Sequence, residues 1–307
     1  MPKLPRAPRV SIVIPLQRDE KLFEETLLSV LENRLAGCQI VAVHNGTYTD
    51  PFDLSDEVSF VTARSSNLVD LVRDAFDATA APLVHVLGAG MKATPGWLDE
   101  AFDRFDDADV AAVAPALADP VSGRTVGSGW SDIAGRLCHP NADHRGQGVA
   151  GQLSGFFLNA FFIRRRLFGN LLDAVAPAMN DSVAVSYAFG CLLKRGGWKI
   201  DVAGGSQIDA SEMVSISDES DFARGQCLAA IRARVLSGQP LPSFGELLRT
   251  ALFGSSSLGE MTGMLRHRTG MALIRRAIDP DSVPTIDQSA RVLSLPSQPP
   301  RQDRAAA

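Results

Sequence analysis

Residues 83–98 read Leu83-Val84-His85-Val86-Leu87-Gly88-Ala89-Gly90-Met91-Lys92-Ala93-Thr94-Pro95-Gly96-Trp97-Leu98. A short apolar run stopped by Gly-Ala-Gly predicts a buried strand that ends in a turn, and Pro-Gly-Trp-Leu predicts the start of a helix. The same alternation extends outward in both directions. Val10 to Ile14 is a β-branched run stopped by Pro15, and Asp19 or Glu20 opens a helix whose apolar positions Leu22, Phe23, Leu27, Val30 and Leu31 recur at helical spacing. Gln39 to Val43 is a second strand, closed by Asn45-Gly46, and Val58 to Thr62 a third. Helices are expected over Asn67 to Ala78 and Trp97 to Phe105, with a further strand over Val110 to Val113. Short strands alternating with helices argue for a parallel α/β sheet, which binds ligands at the carboxyl ends of its strands. That rule puts Pro15 to Arg18, His44 to Asp50 and Gly88 to Lys92 along one rim.

The later chain changes character. Residues 119–152 are rich in Gly, Ser, Asp, Asn and His, and read as a loop or lid. Phe156 to Ile163 returns as a strand, Ser182 to Leu193 as a helix stopped at Gly196-Gly197, and Trp198 to Val202 as a last strand. The organisation expected is an α/β domain over residues 8–215, a helical extension over 216–279, and a disordered tail over 280–307, where prolines and polar residues collect.

The 307 residues are 45% hydrophobic and 21% charged, ordinary for a globular chain, and the net charge of −5 argues against a nucleic-acid partner. Four widely spaced cysteines with no Cys-x-x-Cys pair read as reduced core thiols. Met1 to Arg9 is basic and proline-rich without the apolar run of a signal peptide, and Phe156 to Ile163 is too short to span a bilayer, so the expected location is the cytoplasm. Arg266, His267, Arg268, Arg275 and Arg276 lie among apolar residues near the end. They read either as the solvated face of a packed helix or as a peripheral contact at the inner face of a membrane.

Several ordered motifs resemble family 2 glycosyltransferases of the GT-A fold. They are Val10-Ser-Ile-Val-Ile-Pro15, Leu22-Phe-Glu-Glu-Thr-Leu-Leu-Ser-Val-Leu31, Ile40-Val-Ala-Val-His-Asn-Gly46 with Thr49-Asp50, Arg73-Asp74-Ala75-Phe76, Pro95-Gly-Trp-Leu98, Phe161-Phe-Ile-Arg-Arg-Arg-Leu-Phe168 and Lys194-Arg-Gly-Gly-Trp-Lys-Ile200. The resemblance covers about residues 10–205 and implies a Rossmann-like domain that binds a nucleotide-diphospho-sugar. It places Pro15, Gln17, Arg18, His44, Asn45 and Asp74 around the nucleotide.

The departures fall on the chemistry. Gly88, Ala89 and Gly90 stand where the family carries Asp-x-Asp, which holds Mg or Mn on the diphosphate, so no metal ligand set and no cofactor is expected here. The family's base-binding Asp is His44, and its late metal-binding His has Asp209 near its place. Asp181 is the candidate general base, or else a helix cap beside Asn180. Lys92 is the candidate substitute charge, or else a solvated loop lysine, while Arg18 and Arg73 are candidate phosphate clamps. The Gly88-Ala89-Gly90 amides are candidate anion donors. A metal site at His139, Asp143 and His144 is not favoured.

Three functions stay open on this reading. One is transfer of a sugar from a nucleotide-sugar to a glycan or lipid-linked acceptor. The second is a pseudo-glycosyltransferase that binds a glycan, a nucleotide or another transferase in polysaccharide or glycoconjugate synthesis. The third is a metal-independent transferase that uses Lys92 or arginines.

Overall fold

The computed structural model describes residues 8–133, 136–141, 153–210, 221–237, 255–265 and 267–286. Most of the tail, His144, Asp143 and Arg266 lie outside the described residues.

Strand β1 (Val10–Pro15) is buried throughout and pairs in parallel with β2 (Cys38–His44) on one side and β4 (Leu83–Leu87) on the other. Strand β3 (Val58–Thr62) adds to β2 in parallel. The two helices between them start where the sequence supplies a cap. Asp19 accepts from the Leu22 amide to open α1 (Glu20–Asn33), and Asn67 accepts from the Val69 amide to open α2 (Leu68–Phe76). Helix α1 then turns Phe23, Leu27 and Val30 onto one face of the sheet.

Beyond β4 the sheet departs from the all-parallel expectation. The elements that follow are β5 (Met91–Ala93), α3 (Asp99–Arg104), β6 (Val110–Ala118), β7 (Thr125–Gly127), β8 (Trp130–Ile133), β9 (Arg136–Pro140), β10 (Ala160–Arg164), α4 (Arg165–Ala174), α5 (Ser182–Arg195) and β11 (Lys199–Ala210). Strand β10 runs antiparallel to both β4 and β6. Strand β11 is parallel to β6 and antiparallel to β5. The order across the sheet is β3-β2-β1-β4-β10-β6-β11-β5, with β7 on β6 and β8-β9 a separate hairpin. A tight turn leads into β10. Residues 156–159, read from sequence as part of the strand, instead form a tight turn in which the Ala160 amide bonds back to the Phe157 carbonyl at 3.0 Å.

Alternation along each strand divides the core in two. Phe161 and Ile163 join Val13, Val41, Val84 and Phe168 under α2, α4 and α5, whereas Phe162 joins Ile12, Ile14, Leu87 and Trp97 under α1. His85 lies fully buried in β4, stacked on Phe162 at 3.8 Å and edge-on to Trp97, with Nδ1 on the Phe161 carbonyl at 2.9 Å.

Helices α6 (Asp221–Val235), α7 (Ser255–Leu265) and α8 (His267–Ala277) pack on one another and, through α6, on α5. Ile274 of α8 is buried, while Leu273, Arg275 and Arg276 face solvent. The chain then returns along the domain. Ile278 bridges Val175, Trp198 donates to the Pro284 carbonyl at 2.7 Å, and Ile286 donates to Gly196 at 2.9 Å. Residues 280–286, expected in the tail, are therefore bound to the domain.

Candidate functional site

Four neighbouring strands, β2, β1, β4 and β10, bring His44, Pro15, Gly88 and Asn159 into a row along the rim that the sequence nominates. Helix α1 opens beside it at Asp19, and Gln17 and Arg18 form the connection.

Gly88 is the pivot. Its amide donates to the Asn159 carbonyl at 2.7 Å, which carries the β4–β10 ladder one residue past the strand. A Cβ built on Gly88 meets the Asn159 Cβ at 2.9 Å and its carbonyl oxygen at 3.3 Å, so the space a side chain would need is already filled. Gly90 has φ +88°, a left-handed conformation that glycine adopts without strain, and its amide donates to Thr26 Oγ1 at 3.0 Å and to the Leu22 carbonyl at 3.3 Å. The turn after β4 is thus stitched to α1 on one side and β10 on the other. Both glycine amides are already committed to the protein, which removes them as anion donors.

The candidate charges are committed as well. Lys92 pairs with Glu25 of α1 at 3.0 Å and stands opposite Asp209 in the β5–β11 ladder. Arg73 points inward, with one guanidinium nitrogen on the Val175 carbonyl at 3.1 Å and another 3.9 Å from Asp70. Desolvation pulls its pKa below the ordinary arginine value. Asp74, nominated for the nucleotide, is clasped by Arg64 through two nitrogens and by the Arg64 amide. Arg18 is exposed and makes a contact of its own.

His44 ends β2 almost fully buried, and burial lowers its pKa, so the ring is neutral at physiological pH. Its Nδ1 accepts from the Gly46 amide at 3.1 Å, which fixes the imidazole edge-on to Tyr48. Asn45 turns onto Thr47, accepting from its hydroxyl at 2.7 Å. Tyr48 is buried against Phe23 and Phe60, and its pKa is pushed up to about 12 by burial and by the nearby Glu24, Asp50 and Glu20 carboxylates. This side of the rim is acidic.

Asp181 caps α5, accepting from the Ala184 amide at 2.7 Å, while its second oxygen lies 3.7 Å from the Arg224 guanidinium of α6. Asn67, the cap of α2, donates to the Asn180 carbonyl at 3.1 Å and ties the two helix starts together. Both oxygens of the candidate base are thus engaged.

The residues in the Asp-x-Asp position do not fit a divalent ion. Gly88 has no room for a side chain, Gly90 has a backbone that resists one, and none of Gly88, Ala89 and Gly90 carries a side-chain oxygen. Among the described residues no group of three His, Cys, Asp or Glu side chains is placed to hold a metal. His139, raised for a metal site, turns its Nδ1 onto the Pro140 carbonyl.

Two features escaped the sequence reading. Asn159 was absorbed into an apolar run, although a lone Asn inside Phe157-Leu158-Asn159-Ala160 is a turn signal. Asp132 joins β8 to the extension: it accepts from Arg232 at 2.8 Å, from the Tyr187 hydroxyl at 3.0 Å and from the Cys138 amide at 3.1 Å. No local pattern announces such a contact.

No family model matches the chain, and no curated protein sequence matches it. Solved structures do. GalNAc-T7 with UDP, GalNAc and Mn2+ superposes with a TM-score of 0.58 at 12% identity, over 75% of this chain and 48% of that one. The chain therefore spans about half the length of that protein. The TarS 1–349 structure from S. aureus in complex with UDP-GlcNAc gives 0.52 at 11% identity over 83% and 73%. The mannosyltransferase PcManGT from Pyrobaculum calidifontis, in complex with GDP-Man and Mn2+, gives 0.50 at 14% over 94% and 79%. Among the described residues no helix is long and apolar enough to cross a membrane. The mixed sheet and these likenesses establish that the chain has the GT-A glycosyltransferase fold.

Proposed function

We propose that this chain is a GT-A homologue that binds a ligand at the rim of its sheet without carrying out metal-dependent sugar transfer. The observation that carries the reading is the closed corner at Gly88, where the Cβ and backbone of Asn159 take up the space a side chain on Gly88 would need. An inverting transferase needs charge uptake on the departing diphosphate and a free base for the acceptor hydroxyl. Lys92 pairs with Glu25, and Asp181 caps α5 beside Arg224, so both nominated groups already have partners within the protein. The role that remains is recognition, within glycan or glycoconjugate synthesis, of a ligand or of another transferase.

Nucleotide-sugars are the ligands of the similar structures and are the first to test. Isothermal titration with UDP, GDP and dTDP, and with UDP-GlcNAc and GDP-Man, each with and without Mn2+, is paired with an assay for released nucleotide. The expected result is no tightening by Mn2+ and no turnover. Mn2+-dependent binding with release of nucleotide diphosphate would overturn the proposal.

A further inference from the structure

The two edges of the main sheet are finished differently. At one edge, α1 takes the outward backbone groups of Ala93 in β5: the Ala93 amide donates to Ser29 Oγ at 3.1 Å, and its carbonyl accepts from the Asn33 amide at 3.2 Å. At the other edge stands β3, and among the described residues nothing pairs with its outer side. The phase of the backbone fixes which groups are open. The Ala63 amide donates to the His44 carbonyl at 2.7 Å, so Ala63, Val61 and Ser59 turn their N–H and C=O groups toward β2. Phe60 and Thr62 turn theirs away, where no hydrogen bond to the described chain is made. The Val58 carbonyl points the same way, while the Val58 amide is held by the Leu54 carbonyl at 2.9 Å.

Natural sheets guard an open edge with lysine, proline or a bulge. Val58-Ser59-Phe60-Val61-Thr62 has none of these and keeps an unbroken register with β2. Such an edge is a template for one more strand, and its own sequence says which. Asp56 and Glu57 precede the strand and Arg64 follows it, so an antiparallel copy sets acid against base at both ends. Arg64 holds Asp74 through Nε and Nη2, which leaves Nη1 for a second carboxylate. At the centre Phe60 is half-buried and stacked on Tyr48 at 6.1 Å, on the α1 face of the sheet. An antiparallel copy centred there lays two Phe60 rings side by side and places Val58 opposite Thr62.

We propose that β3 is the interface of a homodimer, in which the β3 strands of two copies pair antiparallel about a two-fold axis at Phe60. Phe60 and the partner's Phe60 exchange amide-to-carbonyl hydrogen bonds, and the Thr62 amide donates to the carbonyl of the partner's Val58. Each nine-stranded sheet continues into the other. The two rims point in opposite directions and both stay open. This contact lies at the sheet edge and is independent of what the rim binds.

The test is sedimentation equilibrium of the full chain from micromolar to near-millimolar concentration, paired with amide hydrogen exchange across the same range. The 32.8 kDa monomer is expected to pass to a dimer and to nothing larger, because two-fold pairing uses up both open edges. Exchange at the Phe60 and Thr62 amides should slow severalfold as the dimer forms, whereas the Val61 amide, already turned to β2, should not change. Thr62→Pro removes an N–H that only the partner uses, at an edge position where proline is tolerated. Ser59→Lys sets two ammonium groups diagonally across the pair from an exposed position. Each should weaken dimerisation by about tenfold or more. Circular dichroism reports the fold of both variants, and Ser59→Lys carries the test if Thr62→Pro fails to fold. A chain that stays monomeric throughout overturns the proposal and leaves the edge to a strand of some other protein. A dimer that the folded variants leave unchanged, or one without slowed exchange at Phe60 and Thr62, places the contact elsewhere and overturns it too. Species larger than a dimer overturn the closed two-fold pairing.

Discussion

The Cβ of Asn159 stands 2.9 Å from the point where a side chain on Gly88 would begin. The two residues face each other across the end of the β4–β10 pair, joined by the Gly88 amide on the Asn159 carbonyl. The absence of a side chain at Gly88 is therefore what lets β10 approach this closely.

Restoring the acidic motif should fail for that reason. Gly88→Asp must displace β10, at about 1–3 kcal/mol for overpacking. Gly90→Asp imposes φ +88° on a residue with a Cβ, at about 1–3 kcal/mol. Urea unfolding of the two single variants and the pair should show these losses, and Mn2+ titration followed by electron paramagnetic resonance should show no ion bound. A stable double variant that binds Mn2+ tightly would contradict the packing described.

His85 makes folding sensitive to acid. Its pKa is lowered to about 3 by burial, against about 6.5 in the unfolded chain. The unfolded state thus binds the extra proton between pH 6.5 and about 3, and stability falls as pH drops through that window. The slope from this one residue is about 1.4 kcal/mol per pH unit. His85→Phe keeps a ring against Phe162 and Trp97, so its unfolding free energy should vary less steeply between pH 6.5 and 4.5 than that of the wild type. Parallel slopes would show that His85 is not the group responsible.

Asp181 separates capping from catalysis. Asp181→Ala should cost about 1 kcal/mol through loss of the α5 cap, whereas Asp181→Asn keeps an acceptor for the Ala184 amide. Denaturant titrations of both variants measure this. A wild-type transferase activity abolished by Asp181→Asn, with stability retained, would make Asp181 a base.

The contacts that Arg232 and Tyr187 make to Asp132 should be coupled. Tyr187→Phe and Arg232→Met each remove one donor from the same carboxylate, and a double-mutant cycle should return an interaction energy of about 0.5–3 kcal/mol. Simple additivity would mean that Asp132 does not join α5 to α6 energetically.

Much of the first half of the fold was legible from residue pattern. Val58–Thr62 and Leu83–Leu87 are the strands the alternation predicts, and Asp19 starts the first helix as a cap should. These are local signals, decided within a few residues. The antiparallel insertion of β10 was not legible, because nothing in Phe161-Phe-Ile says which strands it will enter. The site divides in the same way. Lysine and aspartate could be nominated at Lys92, Asp74 and Asp181, but the partners that absorb their charges, Glu25, Arg64 and Arg224, come from other elements. The close approach of residue 159 to Gly88 was missed because it depends on β10 entering beside β4.

The strand order also dictates how this chain is made. Strand β10 fills the gap between β4 and β6, and β11 fills the gap between β6 and β5. A nascent chain emerging from the ribosome holds β4, β6 and β5 long before either filler exists, so their apolar edges wait for residue 164 and then for residue 210. Pairings so distant in sequence close slowly, and open edges invite association in the interval. The growing chain therefore has most need of chaperone protection between synthesis of β6 and synthesis of β11.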